Sequence, residues 1–171
     1  MAKSEDFLTR IAGYSFKGIQ ISVEQVNSDD FLTRMKFHGI APAEQYLDIA
    51  CDENGPLTSA DAHSQEIVDT GIRAGVEMLV FAADGNHERD VYAGRIHLAP
   101  YLNETGYKKL AEHTTKYALA AKNAGINSSL HPHAATYIES PEETRTLMNL
   151  LDHDLVGMCL VVGHWMDSLK H

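Results

Sequence analysis

Three histidines carry the strongest chemical signal in the sequence. His131 and His133 are separated by one residue, so on an extended segment both imidazoles point to the same face, and His164 closes a later apolar run. Together they offer three nitrogen donors, a set suited to zinc, nickel or cobalt. The alternative is that they are strand-end residues hydrogen-bonded to neighbours or solvent. Trp165, beside His164, supplies an aromatic face for stacking or packing. Three carboxylates stand at or just beyond predicted strand ends, Glu24, Asp48 and Asp84, where loop caps and turns use the same residue types. His87, His97 and His113 read as surface residues, and Cys51 and Cys159 as buried thiols, too far apart in sequence for a CxxC site.

Other chemistries are disfavoured. Gly85-Asn86-His87 and Gly94 form no phosphate-cradling glycine pattern, and no Gly-x-Ser-x-Gly elbow is present. The chain has 171 residues, 44% hydrophobic and 22% charged, the make-up of one domain with a real core. Its 14 basic and 24 acidic residues give a net charge of −10, which opposes capture of nucleic acid or an anionic membrane. No apolar run approaches the ~18 residues of a membrane span, and Met1-Ala2-Lys3-Ser4-Glu5-Asp6 does not open a signal peptide. A cytoplasmic protein is expected, with few cysteines in keeping with a reducing compartment.

The elements that must position these residues follow a βα rhythm. A helix around Asp6 to Ala12 leads to a strand over Gly18 to Val23, and a helix capped near Ser28 leads to a strand over Gln45 to Ile49. The helix Ser59 to Ala74, stopped by Gly75, feeds a strand over Val76 to Phe81. Thr105 to Ala124 precedes a strand over Ile126 to Leu130. Ser140-Pro141-Glu142-Glu143 is a capping box with proline at the first helical position, and the helix behind it delivers a fifth strand, Leu155 to Val162. The word Asp6-Phe7-Leu8-Thr9-Arg10 recurs as Asp30-Phe31-Leu32-Thr33-Arg34, in keeping with one βα unit of a barrel. Asp84 to Asn103 is a long polar connection, where loops after strand ends build sites.

The stretch His131-Pro132-His133-Ala134-Ala135-Thr136-Tyr137-Ile138-Glu139-Ser140, continued by Leu155-Val156-Gly157-Met158-Cys159-Leu160-Val161-Val162-Gly163-His164-Trp165, resembles the xylose isomerase-like TIM-barrel superfamily. Within it, the similarity is to the sugar phosphate isomerase/epimerase and inosose dehydratase branch. The resemblance implies a (β/α)8 barrel with one divalent metal at its C-terminal mouth, where the metal polarises substrate oxygens and carboxylates move a proton. His131 stands where many relatives carry a glutamate ligand and base, while His133 and His164 match positions that contact metal or substrate. The family's aspartate ligand is Val161 here, and its following threonine is Val162. Valine offers no lone pair to magnesium or manganese.

The resemblance also aligns the fifth strand with the family's sixth, leaving the first, seventh and eighth strands unaccounted for. The expectation is therefore an α/β chain in which residues 1–171 form a single partial domain, an incomplete TIM barrel of about five parallel strands. Its open edges call for a second copy or a partner chain. By resemblance, His131 is the expected metal ligand, and His133, His164 and Trp165 the residues that bind a small sugar or cyclitol. Manganese, magnesium or zinc is the expected cofactor, and no catalytic residue is assigned. The activity implied is isomerisation, epimerisation or dehydration through metal-assisted proton transfer. A catalytically inactive or truncated member, serving as a binding or assembly subunit, is the alternative that Val161 supports.

Overall fold

The computed structural model describes residues 4–92 and 95–164. Five strands form one parallel sheet in the order β1 (Gly18–Ile21), β2 (Ala41–Ile49), β5 (Met78–Ala83), β6 (Asn127–Leu130) and β7 (Gly157–Met158). A small antiparallel hairpin, β3 (Cys51–Asp52) and β4 (Gly55–Pro56), follows β2. The helices are α1 (Ser4–Gly13), α2 (Val23–Val26), α3 (Asp29–Phe37), α4 (Thr58–Ala74), α5 (His87–Asp90), α6 (Glu104–Asn123) and α7 (Pro141–Met148), with a 3-10 turn at Ile96–Leu98. The sheet is the wall of a barrel that does not close on itself.

Burial alternates along β2. Gln45, Leu47 and Ile49 are buried, while Tyr46 and Asp48 between them are only partly so. Gln45 marks the covered face, because its Nε2 donates to Thr70 Oγ1 of α4 at 2.8 Å. The central strand β5 is apolar throughout and buried from Leu79 to Ala83, as a strand flanked by parallel neighbours should be. Leu79, Phe81 and Leu130 join Ile67, Val68, Leu110 and Ala118 in one core cluster beneath α4 and α6.

The strands expected from sequence are all present, with shifted ends that have local causes. β1 stops at Ile21 rather than Val23 because Ser22 and Gln25 form a reciprocal capping box that starts α2. β2 begins at Ala41, four residues before the predicted start, but Pro42 cannot donate to a ladder, and the pairing with β1 slips between Ile19 and Gln20. β5 begins at Met78 because Gly75, at φ 70°, and Val76 are used to close α4, their N–H groups donating to Ile72 and Gly71. The largest change is at β7, reduced from Leu155 to Val162 to two residues. Leu155 and Val156 both turn their N–H groups to the Asp152 carbonyl, and beyond Met158 the neighbouring strand β6 has given way to Pro132.

The five-residue repeat does not become a structural repeat. In α1 Phe7 is half exposed and Leu8 fully buried, whereas in α3 Phe31 is buried and Leu32 only partly so, and α2 lies between the two helices. The β3–β4 hairpin was not anticipated. It rests on α6, where a Cβ on Gly106 would stand 2.6 Å from the Glu53 carbonyl oxygen, and Asn103 ties the contact by donating its N–H to that same oxygen. Among the described residues β1 and β7 have no outer neighbour, and Met158, Leu160, Val161 and Val162 are exposed beside the β7 edge.

Candidate metal centre

The three histidines converge. One ligand atom from each of His131, His133 and His164 lies within 4.8 Å of the others. His131 directly follows β6, where its backbone N–H donates to the Phe81 carbonyl of β5 at 2.7 Å, so its backbone is fixed to the sheet's interior strands. His133 is two residues on, and His164 arrives from beyond the β7 edge. The ring centroids are 5.5 Å apart for His131 and His133, 5.3 Å for His131 and His164, and 4.1 Å for His133 and His164.

The backbone selects the tautomers of two of these rings. His131 Nδ1 lies 2.9 Å from the Cys159 carbonyl oxygen and His133 Nδ1 lies 2.9 Å from that of Ala134. A carbonyl oxygen only accepts, so each Nδ1 carries a proton, and in the neutral ring each Nε2 presents a lone pair. An outer partner on the non-ligating nitrogen is the arrangement that orients metal-binding histidines. Three imidazole nitrogens are a donor set that would suit zinc, cobalt or nickel. Among the described residues no carboxylate belongs to the cluster, which makes it a poor match for magnesium or manganese.

A cavity of about 580 Å³ opens at the carboxyl ends of the strands beside this cluster. His131 and His133 line it, and Gln20 of β1, Tyr46 of β2 and Asp84 after β5 add an amide, a phenol and a carboxylate. The Tyr46 hydroxyl is pushed up to about 12, chiefly by burial and further by the charges of Asp48 and Asp84. It remains a hydrogen-bond donor at neutral pH. Tyr46 and Gln20 were not singled out from sequence; the signal for Tyr46 was its place among partly buried residues alternating with a buried apolar face.

Other expected residues lie elsewhere. Asp48 does not line the cavity and has its Oδ1 3.2 Å from His63 Nε2. Glu24 is exposed in the first turn of α2. Val161 is half exposed past β7, and Trp165 lies outside the described residues. His87 and His97 are on the surface as expected, but His113 is half-buried, its Nε2 2.8 Å from Ser64 Oγ between α6 and α4, and burial lowers its pKa. Cys51 is partly buried; burial, with Asp52 and Asp84 nearby, pushes its thiol up to about 12.

The wall of parallel strands is similar in fold to part of several solved TIM barrels. A xylose isomerase-like TIM-barrel protein from Mycobacterium smegmatis, solved with magnesium, superposes with a TM-score of 0.67 at 16% identity, covering 94% of this chain and 56% of that one. The IOLI protein, solved with a zinc atom, gives a TM-score of 0.69 at 16% identity, with 99% and 61% covered. Structures of the same fold include a sugar phosphate isomerase/epimerase from Parabacteroides distasonis and a D-psicose 3-epimerase. In sequence, the chain is similar to inosose dehydratase of Clostridium perfringens, 34% identical over 84 residues, which are 49% of this chain and 27% of that enzyme. The chain thus matches about a quarter of that relative by sequence and about six-tenths of the solved barrels by structure. No family model matches. No described helix is long and apolar enough to cross a membrane.

Proposed function

We propose that the chain binds one zinc-type divalent ion through His131, His133 and His164 and uses that centre to hold a small sugar or cyclitol for isomerisation, epimerisation or dehydration. The observation that carries this reading is the convergence of three imidazoles, two with Nε2 presented by the backbone, beside a polar cavity at the strand ends. The similarity to inosose dehydratase and to sugar-metabolising barrels supports the substrate class. When bound, the ion supplies Lewis-acid polarisation of a substrate oxygen. The protein's own groups do the rest. Tyr46 donates a hydrogen bond from a hydroxyl that stays protonated, Gln20 reads a hydroxyl with either end of its amide, and the exposed Asp84 carboxylate accepts a hydroxyl hydrogen or a proton from carbon next to a carbonyl.

A second reading is favoured by Val161, which stands where the resemblance places a carboxylate ligand: a sugar-binding or assembly subunit without turnover. One experiment separates the two. Metal-stripped protein is titrated calorimetrically with zinc and then manganese, and the loaded protein is incubated with keto-sugars and inososes in deuterium oxide. One zinc per chain with deuterium entering the carbon next to the carbonyl is expected for the enzyme. Zinc uptake without exchange favours the binding subunit, and uptake of neither metal removes the metal centre from both readings.

A further inference from the structure

Arg89 is the largest of the fully buried side chains, and it does not line the cavity. It projects from α5, in the connection after β5, toward the loop that carries His133. Its Nη1 donates to Glu143 Oε1 at 2.8 Å and to the Pro100 carbonyl at 2.7 Å, its Nη2 donates to Glu143 Oε2 at 3.1 Å, and Glu139 Oε2 lies 3.8 Å away. The guanidinium also lies over the Tyr137 ring, 5.7 Å from its centroid. Among the described residues its Nε has no hydrogen-bond partner.

From Arg89 the contacts run directly into the histidine loop. Glu143 Oε2 accepts the N–H groups of Glu139 and Ser140, at 3.0 and 2.9 Å. Glu139 Oε2 accepts the N–H of Ala135 at 2.8 Å, and the Ala135 carbonyl accepts the N–H of Asn86, which caps α5. Ala135 sits at φ 61°, a left-handed conformation that alanine keeps only when its surroundings impose it. The loop closes with His133 N–H donating to the Ile138 carbonyl and Thr136 Oγ1 donating to the His133 carbonyl. A buried ion pair is a weak source of net stability, because desolvation offsets the attraction. Its fixed, forked geometry is a strong source of conformational definition.

We propose that Arg89 is a positioning residue of the histidine centre: through Glu143 and Glu139 it holds residues 133–140 in the one conformation that sets the His133 imidazole against His131 and His164. The inference rests on the metal reading only for its metal readout. The test uses R89K, which keeps the charge but not the fork, and R89M/E143Q, which leaves no uncompensated charge between these two positions while glutamine preserves the capping box. I67V serves as a control that thins the core elsewhere. Both Arg89 variants are expected to melt cooperatively yet lose up to about 10-fold in zinc affinity, the low end of the range for direct outer partners because Arg89 reaches His133 only through Glu143 and Glu139, while I67V keeps wild-type affinity. Amide exchange at Ala135 and Ile138 should accelerate, and the imidazole nitrogen shifts of His133 should move, in metal-free protein. Wild-type zinc affinity together with unchanged exchange and shifts in R89M/E143Q would overturn the proposal. If the parent chain takes up no zinc, the metal reading fails by itself, and the exchange and shift measurements still decide the role of Arg89.

Discussion

His133 and His164 stand with ring centroids 4.1 Å apart and planes inclined by 39°, so that a residue from the end of an interior strand meets one from beyond the sheet edge. Neither segment can form the contact alone, and one ligand atom of each ring lies within 4.8 Å of the other and of one from His131. Replacing His133 or His164 by alanine should weaken zinc binding by more than the ~10- to 100-fold typical of outer partners, since each would remove a proposed ligand itself. Competition against a coloured chelator measures this, and an unaltered affinity in either variant removes that residue from the centre.

V161D tests the similarity to carboxylate-bearing barrels. An oxygen donor at position 161, where the resemblance places a carboxylate ligand, should raise manganese affinity, because manganese favours oxygen ligands where zinc accepts nitrogen alone. Manganese relaxation titration of parent and variant reads the change. No gain would show that position 161 does not face the ion.

Alkaline pH should destabilise the chain in a defined window. The Cys51 thiol is raised from 9 to about 12, and the Tyr46 and Tyr107 hydroxyls from 10 to about 12, in each case chiefly by burial. Between these ordinary values and 12 the unfolded chain has lost protons that the folded chain keeps, so the folded state binds more protons and unfolding becomes easier as pH rises. The stabilisation is complete below pH 9 and disappears toward pH 12. Urea midpoints from pH 8 to 11 should fall, and because burial raises the Cys159 thiol as well, it is in C51A/C159A that the decline should begin about one pH unit later. A flat profile in the parent chain would contradict these shifts.

Gln45 is almost fully buried and its Oε1 has no partner among the described residues, while its Nε2 donates to Thr70, whose hydroxyl also lies 2.9 Å from the Glu66 and Ile67 carbonyls. Exchange for methionine removes the unpaired acceptor and leaves Thr70 a partner. Q45M is expected to be neutral or to stabilise by about 1–2 kcal/mol, read from urea midpoints at constant slope. A loss above about 1 kcal/mol would mean that the Gln45–Thr70 bond outweighs the buried orphan oxygen.

The repeating units and the histidine cluster were legible because they are written locally: glycine at the end of α4, the capping box at Ser140, and two histidines in alternate positions beside an apolar run. What was hidden depends on partners far along the chain. The alternation in β2 that turns Tyr46 toward the open face becomes informative only when the covered face is known, and Arg89 looks like any arginine in a polar loop until Glu143 folds over it. The length of β7 was misjudged because Leu155 to Val162 is apolar throughout, and composition cannot show that Pro132, just past the end of the neighbouring strand, has no N–H with which to extend the ladder. The identical words at residues 6–10 and 30–34 show the same limit, since the same letters bury different side chains.

The two-residue β7 gives the edge of the sheet little hydrogen bonding of its own, yet His164 lies just past it. An ion held jointly by His131, His133 and His164 would act as a cross-link from the slow-opening middle of the sheet to its fraying margin. By mass action, each tenfold excess of zinc over its dissociation constant would then add about 1.4 kcal/mol to the cost of releasing that margin. Metal supply would therefore set how long the last strand stays docked.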